Sequence, residues 1–204
     1  NVSLYNETEG RPIMPTPVIG GVGLLADVEG CVDIALREAG LALVLVGETK
    51  GHLGQSIFLR EIHGREAGAP PPVDLAIERR NGDFVRGQIG AGNVAACHDL
   101  SDGGLLIALT EMAMAGATGA TIEAPQDIAP HAWLFGEDQG RYLLATAKAD
   151  AVIAAAAQAG VPARRIGTCG GGALTVDGLT AISLSELRRA HETWLPAYMA
   201  GEAA

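Results

Sequence analysis

The stretch His98-Asp99-Leu100-Ser101-Asp102-Gly103-Gly104-Leu105 constrains this chain most, because it turns a strand over two glycines into a helix. Upstream, Asn93 to Cys97 is short, apolar and tolerant of extended backbone. Downstream, Leu105, Leu109, Met112 and Ala113 fall at i, i+4, i+7 and i+8, one face of a helix. Gly103 and Gly104 let the main chain bend with no side chain in the way, and Ser101 or Asp102 is placed to cap the first turn. Unpaired amides at a helix start attract anions. The loop therefore reads either as ligand-facing, suited to a phosphate, or as the capped start of a helix in a layered α/β fold.

A second unit repeats this physics. Leu41 to Val46 is a continuous apolar run, the pattern of a strand covered on both faces. It enters Gly47-Glu48-Thr49-Lys50-Gly51-His52-Leu53-Gly54-Gln55-Ser56, after which Ile57, Leu59, Arg60 and Ile62 predict a helix. The order of Lys and Gly is wrong for a Walker loop. Lys50 and His52 could pair with a phosphate or carboxylate, or simply be solvated. A third loop, Phe135-Gly136-Glu137-Asp138-Gln139-Gly140-Arg141, precedes a strand over Tyr142 to Ala147. Its charges form either a ligand clamp or a loop salt bridge worth roughly 0 to 1 kcal/mol, and the salt bridge is the simpler reading.

The remaining stretches fill in an α/β chain. Val2 to Tyr5 reads as a terminal strand, and the prolines within Arg11 to Pro17 argue against a regular element there. Val18 to Ala26, with Gly20, Gly21 and Gly23, predicts a strand lying close to another backbone. Asp27 to Gly40 favours a short helix over a strand. Gly64 to Pro72 is an exposed linker, and Val73 to Ile89 a long helix. Ala120 to Ala124 predicts a strand, Pro130 to Leu134 a helical turn, and Asp150 to Ala159 an Ala-rich helix. Arg164 to Cys169, Ala173 to Val176 and Thr180 to Ile182 predict short strands. Ser183 and Glu186 then form a capping box for a last helix with the apolar face Leu184, Leu187, His191, Trp194, Leu195 and Tyr198.

At 204 residues the chain can bury a sizeable core, built from Ala, Val, Leu and Ile because aromatics are only 4%. A net charge of -10 leaves no basic stripe to displace counterions, which argues against a nucleic-acid partner. Cys31, Cys97 and Cys169 are scattered without a CxxC pair, as expected of reduced cytoplasmic thiols with no metal signature. No apolar run approaches the ~18 residues of a membrane helix. The five histidines assemble no triad; only His52 and His98 sit in Gly-rich loops, and a lone histidine is more often packed than catalytic. The abrupt opening, with a strand pattern already under way, reads as a piece of something longer.

Taken together, five runs go further: Asn1-Val2-Ser3-Leu4-Tyr5-Asn6-Glu7, Pro15-Thr16-Pro17-Val18-Ile19-Gly20, Gly47 to Ser56, His98 to Leu105 and Phe135 to Tyr142. In order and spacing they closely resemble the C-terminal part of the large subunit of phosphoribosylformylglycinamidine synthase, in the aminoimidazole ribonucleotide synthetase superfamily. The resemblance covers essentially the whole chain. It implies a mixed β-sheet flanked by helices, with residues 1–17 the tail of a second ATP-handling domain and 18–204 the C-terminal α/β domain. It also implies ATP- and glutamine-dependent conversion of formylglycinamide ribonucleotide to the formylglycinamidine ribonucleotide, in purine biosynthesis. There the carbonyl oxygen is activated as an iminophosphate and attacked by ammonia.

The implied cofactors are ATP and Mg2+. The implied partners are the remainder of the large subunit, a glutaminase subunit and a small accessory subunit, in the cytoplasm. On the family's Gly-Asn-x-Ser stretch, Asn1 would bind magnesium and Ser3 would contact substrate, while the catalytic histidine lies upstream of this chain. Gly54, Gln55, Ser56, His98, Asp99, Ser101, Asp102, Glu137 and Arg141 are candidate ligand-facing residues, expected to converge on one rim. Two alternatives stay open. One is another ATP-dependent member of the superfamily. The other is a non-catalytic scaffold or docking domain, which an exposed apolar patch around Val2, Leu4, Val18 and Val22 would favour.

Overall fold

A computed structural model of the chain describes residues 6–13, 20–25 and 27–202. A small hairpin comes first, β1 (Asn6–Thr8) against β2 (Arg11–Ile13). Glu9 and Gly10, at φ 53° and 74°, supply the two left-handed residues that a two-residue hairpin turn requires. This corrects the expectation of irregular chain from Arg11. Pro12 is tolerated opposite Glu7 because a two-stranded hairpin leaves its missing N–H facing outward. The strand expected over Val2 to Tyr5 lies outside the described residues, as do Asn1, Ser3 and Val18.

Residues 20–25 form no strand. Val22 and Leu24 are fully exposed, and a Cβ on Gly20, Gly21 or Gly23 would meet nothing within 4 Å among the described residues. Of the helix expected between Asp27 and Gly40, only a 3-10 turn at Val28–Gly30 exists, capped by the Asp27 carboxylate. Asp33 and Arg37 pair at i and i+4, which holds the Asp33 carboxyl down at about 2. The packed body begins at Ala35 and Leu36, whose burial is fixed by the Leu36 N–H donating to the Met112 carbonyl at 3.1 Å.

From there the chain runs β3 (Ala42–Val46), α1 (Ile57–His63), α2 (Leu75–Gly90), β4 (Ala96–Asp99), α3 (Gly104–Gly116), β5 (Ala120–Ile122), α4 (Pro130–Phe135) and β6 (Tyr142–Thr146). It ends with α5 (Ala149–Gln158), β7 (Ala163–Cys169), β8 (Ala173–Val176), β9 (Thr180–Ser183) and α6 (Leu184–Met199). Seven strands make one mixed sheet in the order β4-β6-β3-β7-β5-β8-β9. All neighbours are antiparallel except β5 and β8.

β3 explains the layering. Leu43 and Leu45 face one core with α3, Trp133 of α4 and Leu184 of α6. Ala42, Val44 and Val46 face a second core with Val85 of α2 and Val152 and Ala156 of α5. Both faces of the strand are covered, which is why its sequence does not alternate. Cys97 and Cys169 are drawn into this body, and burial pushes both thiols up to about 11, whereas Cys31 is exposed. At pH 8 a thiol reagent should therefore modify Cys31 alone within minutes and the other two only after denaturation. Three fast thiols in the folded protein would contradict this packing.

The last helix departs from expectation. Its capping box is present, Ser183 with Glu186, and Leu184 is buried. Trp194, Leu195 and Tyr198 are more than half exposed, because α6 packs on α3 and β9 only through its first turns.

Candidate functional site

The three loops that the sequence sets apart meet at one place, around residues 136–141. Following α4, the Glu137 N–H donates to the His52 carbonyl at 2.9 Å. Its carboxylate turns inward, and one oxygen accepts the N–H of Ile57 and the N–H of Gly103, each at 2.8 Å. Glu137 therefore caps α1 and α3 at once. Asp138 reaches the other way and accepts from the N–H groups of Lys50, Gly51 and His52 at 3.1, 2.8 and 3.3 Å. Both carboxylates are more than nine-tenths buried.

Arg141, 1% exposed, closes the clasp with main-chain and hydroxyl acceptors. Nε donates to the Asp138 carbonyl at 2.8 Å, Nη2 to the Gly136 carbonyl at 2.6 Å and Nη1 to the Thr49 hydroxyl at 3.1 Å. Among the described residues it makes no ion pair within 4 Å, so the expected loop salt bridge does not form. Burial pulls its guanidinium pKa down, while Asp138 and Glu137 pull the other way. Gly104 shows why small residues are needed here. At φ 69°, a Cβ on it would lie 2.5 Å from the Gly136 carbonyl oxygen.

The cap expected from Ser101 or Asp102 is likewise replaced. Gly103 is the N-cap of α3, with φ 78° and no side-chain cap of its own, and both Ser101 and Asp102 point to solvent. A helix start with free amides would attract an external anion, but here the partial positive ends of two helices already share an internal carboxylate. The phosphate cradle read from the sequence is thus occupied by Glu137.

Of the other candidates, Gly54, Gln55 and Ser56 lie beside the clasp, whereas His98 turns to a separate cavity that it lines with Ile34, Glu111, Met114, Arg188 and His191. Ser56 is buried and caps α1 through its hydroxyl, accepting from Leu59 N–H at 3.2 Å. Gln55, at φ 58°, donates its side-chain amide to the Gly68 carbonyl at 2.9 Å. A Cβ on Gly54 would meet the Ala69 carbonyl oxygen at 2.3 Å, so the 64–72 linker lies directly over this loop. His52 Nε2 sits 2.8 Å from that same carbonyl. His98 places Nε2 2.8 Å from Glu111 on α3 and Nδ1 3.3 Å from Asp99.

Beside the clasp, a cavity of about 140 Å³ is bounded by Glu78, Asp99, Ser101, Gln139, Arg141 and Tyr142. Burial, with help from the Glu78 and Asp99 charges, raises the Tyr142 phenol pKa. Glu78 and Tyr142 were not singled out from sequence: Glu78 reaches the loops only because α2 packs across the sheet, which no local pattern reveals. Among the described residues no group of three or more His, Cys, Asp or Glu could hold a metal ion. Also among them, no helix is long and apolar enough to cross a membrane.

Residues 38–177 match the family described as AIR synthase related protein, C-terminal domain. The phosphoribosylformylglycinamidine synthase subunit PurL of Parvibaculum lavamentivorans is 59% identical over 100% of this chain and 28% of that protein. That of Rhodospirillum rubrum is 61% identical over 98% of the chain and 28% of that protein. The chain thus spans less than a third of the length of these relatives. Among solved structures, Thermotoga maritima PurL complexed with FGAR superposes with a TM-score of 0.65 at 19% identity, covering 78% of this chain and 30% of that one. Thermotoga maritima PurL complexed with ATP gives 0.64 at 19% identity, covering 78% and 27%. At that identity the likeness shows a shared fold.

Proposed function

The chain belongs to the AIR synthase related family through its C-terminal domain, and from that membership we propose that it is the C-terminal part of the large subunit of phosphoribosylformylglycinamidine synthase. The observation that carries this reading is 59% identity across the entire chain to a protein of that name. The parent protein would form the amidine from formylglycinamide ribonucleotide, ATP and glutamine-derived ammonia in the cytoplasm. It would do so with a glutaminase and a small accessory subunit. Residues 1–17 would be the tail of an ATP-handling domain, with Asn1 toward Mg2+ and Ser3 toward substrate.

The described residues do not themselves fit a nucleotide phosphate or a metal. The amides suited to phosphate are taken by Glu137 and Asp138, and no metal-ligating cluster is present among them. In this reading ATP and Mg2+ are handled upstream, and the C-terminal domain supplies a rigid rim on which Gln55, Asp99, Ser101, Asp102 and Gln139 are presented. The scaffold reading gains from the fully exposed Val22 and Leu24, an apolar segment that no other described residue covers.

A chimera tests the proposal. Replacing the matching 28% of the Parvibaculum lavamentivorans protein with this chain should give a synthase that forms the amidine, while the 204-residue chain alone forms none. A folded but inactive chimera, or turnover by the isolated chain, would overturn it.

A further inference from the structure

Glycine follows an Asn or Asp at three places in this chain: Asn81-Gly82, Asp102-Gly103 and Asp177-Gly178. Each pair is chemically fragile, because glycine has no side chain to shield its amide nitrogen from the side-chain carbonyl carbon one residue back. The fold treats the three differently. Asn81 is fully buried inside α2. At Asp102 the side chain is exposed, but Gly103 is buried and its N–H donates to the Glu137 carboxylate at 2.8 Å.

Asp177 and Gly178 instead form the tip of the β8–β9 hairpin, where the Leu179 N–H donates to the Val176 carbonyl at 3.0 Å and Gly178 sits at φ 74°. Both residues are exposed. Among the described residues the Gly178 N–H has no main-chain acceptor and the Asp177 carboxylate is in no ion pair. β9 is also the last strand of the sheet, so only β8 resists a rearrangement of the turn.

We propose that Asp177 is a site of spontaneous isoaspartate formation and that Glu137 protects Asp102 from the same reaction. The Gly178 nitrogen bonds to Asp177 Cγ, and its proton leaves with the carboxyl hydroxyl as water, closing a succinimide ring. Water then adds at the Asp177 main-chain carbonyl and breaks its bond to nitrogen, so the chain runs on through Cγ. Water is released and regained, and the mass is unchanged. The product inserts Cβ into the main chain, which breaks the Leu179 bond to Val176 and loosens β9 beside the Ser183 cap of α6. At Asp102 the nitrogen must first give up a charge-assisted hydrogen bond, which slows closure on the order of 10-fold or more.

Holding the 204-residue chain at neutral pH for several weeks, folded or in urea, tests this. Isoaspartate is counted by labelling with protein isoaspartyl methyltransferase and placed by electron-transfer fragmentation of peptides. In the folded chain it should form at Asp177 at least ~10-fold faster than at Asp102. In urea the two Asp-Gly pairs should react at similar rates. Asp177→Glu, which cannot close the same ring, should remove the folded-state signal. Glu137→Gln, checked by circular dichroism to remain folded, should raise the Asp102 rate toward that of Asp177. Hydrogen exchange across Thr180–Ser183 should quicken in the aged chain. Equal rates at Asp102 and Asp177 in the folded chain overturn the proposal. So does a folded Asp177 left unmodified after the time in which urea converts it, and an Asp102 rate indifferent to Glu137→Gln overturns the protective role.

Discussion

Glu137→Ala is expected to destabilise the domain by about 3–5 kcal/mol, because one oxygen serves two buried amides and charge-assisted bonds are worth about 1.5–3 kcal/mol each. Alanine would strand the Ile57 and Gly103 N–H groups at the starts of α1 and α3, each now 2.8 Å from the carboxylate. Glu137→Gln keeps an acceptor of the same shape and loses only the charge, so about half the penalty should return. Urea denaturation should show a lower midpoint at an unchanged slope. Hydrogen exchange should accelerate first at Ile57 and Gly103. A loss below about 1 kcal/mol would mean the two helices are held by packing alone.

Gly116→Ala should be worse, costing on the order of 4 kcal/mol or more. A Cβ there would lie 1.9 Å from the Leu36 carbonyl oxygen and 2.2 Å from its carbon, and backbone cannot swing aside as a flexible side chain can. Leu36 is fully buried, so either the end of α3 or the strand-entry segment must give way. Gly87→Ala is the matched control. It sits in α2 with nothing within 4 Å, and should stabilise by about 0.5–1 kcal/mol as an ordinary helix interior position. Equal penalties at both sites, read by thermal or urea unfolding, would show that the close approach at Gly116 does not govern stability.

Elements with a strong local pattern were legible in the sequence. β3, α2, α5, the three strands from Ala163 to Ser183 and the Ser183–Glu186 capping box follow from hydrophobic runs, capping chemistry and glycine turns over a few residues. The convergence of three loops was expected too, as part of what the family resemblance implies. What those loops do to one another was not. Glu137 and Ile57 are 80 residues apart, and nothing near either of them announces that a carboxylate will cap a distant helix. Local rules assigned that cap to Ser101 or Asp102 and paired Arg141 with its neighbours, whereas long-range packing turned the charges onto main-chain groups. Residues 20–25 failed for the opposite reason: an apolar, glycine-containing run resembles a strand, but without a sheet edge to join, it stays unpaired.

The sheet's strand order also sets a timetable for synthesis. β3 is the first of the seven to leave the ribosome, yet both its partners come late: Ala42 pairs with Thr146 on one side and Thr168 on the other. At about 5–20 residues per second, the roughly hundred intervening residues keep it waiting about 5–20 s. Throughout that interval Ala42-Leu43-Val44-Leu45-Val46, uncharged and β-prone, has no native neighbour on either edge, the condition under which nascent chains recruit chaperones or clump. Slowing translation between β3 and β6 should therefore lower soluble yield more than the same delay placed after β7.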